Sequence, residues 1–136
     1  MFLLPHIILN SILFGVILMT QVVSYPMFLN VDNKSFSSYH MHYTFNISKI
    51  VLPLMILEVF LVIEMLVNKF DILSFISLIL VILIWTSTFF IQVPYHNAIS
   101  KGFNEKTISR LILSNWIRTT LWLAKLMALV FLGDFS

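Results

Sequence analysis

Ser114-Asn115-Trp116-Ile117-Arg118-Thr119-Thr120-Leu121-Trp122-Leu123-Ala124-Lys125 decides how this chain is read. The stretch lies within Leu111–Leu132, a segment apolar enough to cross a membrane, yet it carries an amide, a guanidinium and an ammonium. Asn115, Arg118, Trp122 and Lys125 fall three, four and three residues apart, so on a helix they share one face. Charges in a lipid-spanning helix are costly and turn toward the interior of a bundle or a wet cavity. The rest of the chain must therefore supply a polar surface to meet that face.

Composition points the same way. With 60% hydrophobic and 10% charged residues over 136 positions, the chain is far from the roughly 25% charge of a soluble domain. Four apolar blocks fill most of it. Phe2–Val23 and Ile72–Ile91 carry no charge, Ile50–Val67 holds only Glu58 and Glu64, and Leu111–Leu132 holds only Arg118 and Lys125. Each approaches the roughly 20 residues that span the hydrocarbon core as a helix, and none shows the alternation of a barrel strand. The expectation is an all-α polytopic membrane protein, one domain over 1–136. It is a bundle of four transmembrane helices, at about 2–23, 48–67, 72–93 and 107–132.

The first block lacks a basic leader and a small-residue cleavage pattern, so it reads as a retained helix. A net charge of +2, dispersed along the chain, argues against nucleic acid as a partner. The absence of cysteine removes disulfides, thiol chemistry, iron–sulfur ligation and covalent haem attachment.

Between the first two spans, Ser24-Tyr25-Pro26 should end a helix and Asn30-Val31-Asp32-Asn33 should turn. Phe36–Asn46, aromatic and almost uncharged, has the composition of a short interfacial helix, with Pro53 kinking or opening the span that follows. Asn68–Asp71 is a tight turn that makes the second and third helices antiparallel neighbours. Pro94 should end or kink the third helix, and Asn104 should cap the fourth. Basic residues set the orientation. Lys34, Lys49, Lys101, Lys106 and Arg110 fall on the side of loops 24–47 and 94–110, and only Lys69 on the other. Those loops should be cytoplasmic and both termini opposite.

Polar residues gather near the basic loops. Gln21, Tyr25, His40, His42, Glu58, Gln92, His96, Asn97, Asn115 and Arg118 come from all four helices and both longer loops. Helical rise puts Arg118 about 9 Å, Glu58 about 16 Å and Lys125 about 20 Å deep, so Glu58 can pair with either cation. One carboxylate against two cations leaves a surplus positive charge, which an anionic headgroup, a carboxylate, a quinone-like oxygen or water would meet. The expected site has Glu58, Arg118 and His96 in proton-moving or polarising roles. Gln21, Tyr25, His40, Gln92, Asn97, Asn115, Trp122 and Lys125 would be its ligand-binding wall, with Trp85 beside Trp122. His40, His42 and His96 could with Glu58 hold a metal or haem, but their spacing matches no metal motif, and no metal ligand set is assigned. The bland alternative is an ion pair and amide contacts that only fix helix register.

Val93-Pro94-Tyr95-His96-Asn97 and Asn115-Trp116-Ile117-Arg118-Thr119 resemble the anthrone-oxygenase-like family of small four-helix membrane proteins. There a Pro-x-x-Asn turn closes the third helix and an Asn-x-x-Arg-Thr element opens the fourth. The resemblance covers about the last third of the chain and implies the four-helix fold. Oxygenase activity belongs to a subset of the family, and Asn97, Asn115 and Arg118 are the positions carried over. The first helix departs from the family's small-residue-rich pattern, and the Tyr25-Pro26, Phe36 and His40 region has no counterpart in it.

The functional expectation is a small membrane protein with a buried polar site open to the basic-loop side. It would be an oxidoreductase or a lipid- or quinone-type binding protein whose partners are membrane lipids and an apolar, oxygen-bearing small molecule. The alternative is a non-enzymatic subunit or scaffold, in a homo-oligomer or a larger membrane complex. Residue spacing names no reaction and no cofactor. A transporter is disfavoured, because no inverted repeat or pair of broken helices is evident.

Overall fold

A computed structural model describes residues 3–133 and places nearly all of them in helix. The long helices are α1 (Leu3–Asn30), α2 (Phe36–Asn68), α3 (Ile72–Ile99) and α4 (Glu105–Leu132). The first three are long and apolar enough to cross a membrane. α4 is as long as α1 but carries Glu105, Lys106, Arg110, Arg118 and Lys125. Consecutive helices run antiparallel, and α4 closes the ring by packing along both α1 and α3. α2 packs against α1 and against the Ile72–Ser87 part of α3, then diverges from the remainder of α3.

Side-chain layers explain the order. Leu3, Met65, Leu73 and Leu129 close one end, and Leu9, Leu13, Ile17, Met55, Ile84 and Trp122 fill the middle. Tyr25, Phe28, Phe36, Ile99, Ile108 and Leu111 close the end nearer the basic connections. Outside these layers the usual polarity is inverted. Leu4, Ile8, Phe60, Val67, Phe90, Leu113 and Phe131 are exposed, while Asn10, Gln21, Glu58, Gln92, Asn115 and Lys125 are buried. An apolar outer surface around a polar interior suits hydrocarbon as the solvent.

Two connections follow from short-range chemistry. At the α2–α3 turn Asp71 and Ser74 form a reciprocal capping box: Ser74 N–H donates to Asp71 Oδ1 at 2.9 Å, and Asp71 N–H donates to Ser74 Oγ at 2.9 Å. Asn104 caps α4, accepting from the Thr107 N–H at 3.0 Å.

The helix limits differ from the sequence-based expectation at three places; the expected start at residue 2 lies outside the described residues. α1 does not stop at 23, nor α3 at 93: they run on to Asn30 and Ile99. Proline has no N–H, and its ring crowds the carbonyl four residues back. Each helix relieves this with a widened turn just before the proline. In α1 the Tyr25 N–H donates to the Thr20 carbonyl, five residues back, and Pro26 follows. In α3 the Val93 N–H donates to the Thr88 carbonyl, and Pro94 follows. Both turns open with a threonine whose hydroxyl bonds the carbonyl four residues back, Thr20 to Val16 and Thr88 to Ile84, each at 2.8 Å.

The separate interfacial helix is the third correction. Phe36–Asn46 is the first part of α2, continuous with the span, and Pro53 lies in its interior. Phe36, His40, Tyr43 and Ile47 follow helical spacing, and Phe36 and His40 are buried, so tertiary packing carries the helix across. The loops expected at 24–47 and 94–110 shrink to the connections at 31–35 and 100–104.

Asp71→Ala should cost about 1 kcal/mol, the usual value of an N-cap, when unfolding is followed in detergent. A loss below a few tenths would show that the capping box does not hold this turn.

Candidate functional site

The buried charges resolve into two separate groups. Deep in the middle layer, Lys125 Nζ lies 3.0 Å from Glu58 Oε2, with both side chains almost wholly buried. Trp122 Nε1 donates to both carboxylate oxygens, at 3.3 and 3.2 Å. Lys125 also donates to Asn10 Oδ1 at 3.1 Å, and Asn10 Nδ2 donates to the Trp122 carbonyl at 3.2 Å. A carboxylate and an ammonium so placed neutralise each other. The contacts link α1, α2 and α4.

Arg118 stands apart. It is 7% exposed, and among the described residues no carboxylate lies within ion-pairing distance of it. Its Nε and Nη2 donate to Asn115 Oδ1 at 3.0 and 2.6 Å, and Nη2 also donates to Tyr25 Oη at 3.1 Å. Nη1 reaches Thr88 Oγ1 at 3.4 Å. A guanidinium has five N–H donors, so one hydrogen on Nη1 is left over. The cation is held in place by neutral groups and keeps its charge uncompensated.

From Arg118 a chain of hydrogen bonds crosses the bundle. Tyr25 Oη lies 2.9 Å from His96 Nε2, and His96 Nδ1 lies 2.8 Å from His40 Nε2. Donor counting gives the chain a direction. Arg118 can only donate, so the tyrosine oxygen accepts from it and sends its own proton to His96 Nε2. His96 is then protonated on Nδ1 and donates to His40 Nε2, which leaves His40 protonated on Nδ1. The reverse polarity would strand both the buried tyrosine proton and the His40 Nδ1 lone pair. His40 Nδ1 is buried and has no partner among the described residues. Phe28 and Phe36 pack around the histidines, with Phe36 stacked on His40 at 5.8 Å between centroids. The widened turns matter here, because Tyr25 and His96 both follow them and owe their facing to the extra residue.

Beside this chain is a cavity of about 430 Å³, within the usual range of small-molecule sites. Arg118 and Trp122 form its back wall on α4. Tyr25, His40, His96 and Thr88 supply its polar side, and Leu13, Ile17, Val51, Met55 and Trp85 its apolar side. Its rim is Met41 and Leu52 on α2 with Phe89 and Val93 on α3, all exposed. The cavity therefore opens sideways, where α2 diverges from α3. Trp85 Nε1 and Tyr43 Oη, also on its wall, are further buried polar atoms without a partner among the described residues.

Of the residues read as a site, Arg118, Tyr25, His40, His96, Asn97 and Trp122 line this cavity. Asn115 lies behind Arg118 and orients it. Glu58 and Lys125 do not line it, since the Trp122 indole stands between. Gln21 and Gln92 are not in it either. Gln21 Nε2 donates to the Ile112 carbonyl at 2.8 Å, and its Oε1 accepts from Thr119 Oγ1 at 3.3 Å. Gln92 Nε2 reaches the Ser114 carbonyl at 3.4 Å and its Oε1 accepts from Ser87 at 2.8 Å. Both side chains tie a widened turn to α4. His42 is exposed, away from the other histidines, and no cluster of three metal-ligating side chains forms among the described residues.

Tyr43, Thr44 and Met41 line the cavity without having been singled out. With His40, Ile47 and Val51 they form one stripe of α2, a helical spacing that carries the only available signal. Comparison of the chain with family models, with curated proteins and with solved structures finds no match.

Glu58→Gln should destabilise the protein by about 3–5 kcal/mol, because Lys125 loses its counter-charge in the interior. Glu58→Leu combined with Lys125→Met should regain most of that loss. Chemical denaturation in micelles measures all three proteins. A double variant no more stable than Glu58→Gln would contradict the isolated pair.

Proposed function

We propose that the chain is a membrane protein of four spanning helices that binds an apolar small molecule through an anionic, carboxylate-type oxygen at Arg118. The uncompensated guanidinium at the back of a largely apolar cavity carries this reading. Glu58 and Lys125 cancel, so a ligand anion would neutralise the one remaining buried charge of the seam, and charge-assisted hydrogen bonds are the strong ones. α4 counts as a span because its charged face is turned inward, toward the cavity and the Glu58 pair. On the balance of basic residues, the connections at 31–35 and 100–104 would face the cytoplasm and the termini the other side.

A second reading rests on the Tyr25–His96–His40 chain. A quinone-type carbonyl at Arg118 would have beside it neutral groups able to hold and pass a proton, as a membrane oxidoreductase needs. The anthrone-oxygenase-like resemblance, resting on Pro94–Asn97 and Asn115–Thr119, belongs with this reading. Asn97 lines the cavity, and Asn115 orients the arginine.

Solvent extraction of the purified protein, followed by mass spectrometry, should recover an amphiphilic acid. The Arg118→Leu protein should retain about tenfold less or lower still, the value of one charged hydrogen bond. Recovery of a quinone instead would select the second reading. Equal retention of the same molecules by both proteins would remove Arg118 as the anchor. Adding palmitate at a hundred times its Kd should stabilise the unmodified protein by about 2.7 kcal/mol.

A further inference from the structure

The cavity does not end at Phe89. Below it, along the same seam between α2 and α3, runs a second hollow of about 490 Å³. Its floor is Val62 and Val81, both buried, and its lips include Ile63, Ile82 and Phe90, all exposed. Almost all of its lining is apolar. Trp85 and Phe89, whose rings lie 5.3 Å apart, line both hollows. The two spaces adjoin along each helix: α2 contributes positions 40–55 to the cavity and 59–63 to the groove, and α3 contributes 85–97 to the cavity and 78–90 to the groove, the ranges sharing Trp85 and Phe89.

We propose that the ligand is a long-chain amphiphile, its head at Arg118 and its tail lying past Trp85 and Phe89 in the α2–α3 groove. This rests on the ligand-binding reading above and adds the class of molecule and its route. Polarity and position support it. The polar atoms concentrate at Arg118, Tyr25, His96 and His40, while the apolar surface continues without interruption from Met55 and Trp85 to Val59 and Leu78. From Phe89 back to Leu78 the helix rises about 16 Å, which sets the length of tail the groove can take. The rim at Met41, Leu52, Phe89 and Val93 is exposed and apolar, so the molecule would enter sideways from the bilayer, head first, without crossing water. A short, compact ligand would fill the cavity and leave the groove to bulk lipid.

Photolabelling of the full chain in lipid nanodiscs tests this with two palmitate analogues, one with a diazirine beside the carboxylate and one with it at the chain end. The first should label cavity residues on α2 and α3 between Met41 and Met55 and between Trp85 and His96. The second should label Val59, Ile63, Leu78 or Ile82. Both labels should fall about tenfold or more with excess unlabelled laurate, and in Arg118→Leu if that variant folds. Competition by laurate keeps the test valid if it does not. Chain-end labelling of the groove that survives competition would be bulk lipid and would overturn the proposal. Head-end labelling of the cavity with the chain end elsewhere would overturn the tail placement and leave the cavity reading intact. Failure of the head-end analogue to label the cavity at all would overturn both.

Discussion

Two cations and one carboxylate share the interior of this bundle, and that imbalance organises it. Each charge at the centre of a spanning helix costs about 2.5–3.5 kcal/mol on insertion scales, so each must be met from within. Lys125 meets Glu58 with near-contact geometry, and Trp122 and Asn10 take up remaining hydrogen-bonding capacity around the pair. That closes the account for one cation and joins α1, α2 and α4 at mid-depth. Arg118 is then left to an amide, a phenol and a threonine. Neutral dipoles orient a guanidinium but do not cancel its charge. The fold thus pairs one cation with a carboxylate and leaves the other uncompensated at the wall of a cavity.

The widened turns in α1 and α3 let the neutral partners reach Arg118. An ordinary helix that ended at Ser24 or at Val93 would leave Tyr25 and His96 in loops. Because each helix gains a residue in one turn and continues through its proline, both side chains stay on rigid backbone and face inward. Gln21 and Gln92, one from each widened turn, bond carbonyls of α4 at Ile112 and Ser114. The same local feature therefore positions the hydrogen-bond chain and clamps the helix that carries Arg118.

This also accounts for what could and could not be read in the residues. Apolar blocks long enough to span, the shared face of Asn115, Arg118, Trp122 and Lys125, the tight turn at Asp71 and the Asn104 cap all depend on local spacing, and the structure contains each as a helical feature. The continuation through Pro26 and Pro94 was not legible, because proline alone signals a stop. What overrides it is a threonine back-bond and a tertiary clamp from α4. Gln21 and Gln92 share helix faces with site residues, which points to ligand contacts, but the widened turns redirect them to backbone carbonyls. Phe36–Asn46 read as interfacial for its composition, whereas burial of Phe36 and His40 makes it the first part of α2. The choice of Glu58 between two cations depended on depth, and helical rise alone left both within reach.

Trp122 separates the two charged groups, and its placement has a consequence for chemistry at the site. Its ring lines the cavity while its N–H is held by Glu58 on the far side. An indole has one donor and no acceptor, so it cannot pass a proton between the groups. The carboxylate is thus screened from the cavity, whereas Tyr25, His96 and His40 line it. Those three already form a continuous path whose far end, His40 Nδ1, is unpartnered among the described residues. A ligand bound as proposed would meet a fixed charge at Arg118 and, beside it, neutral groups that can each donate or accept.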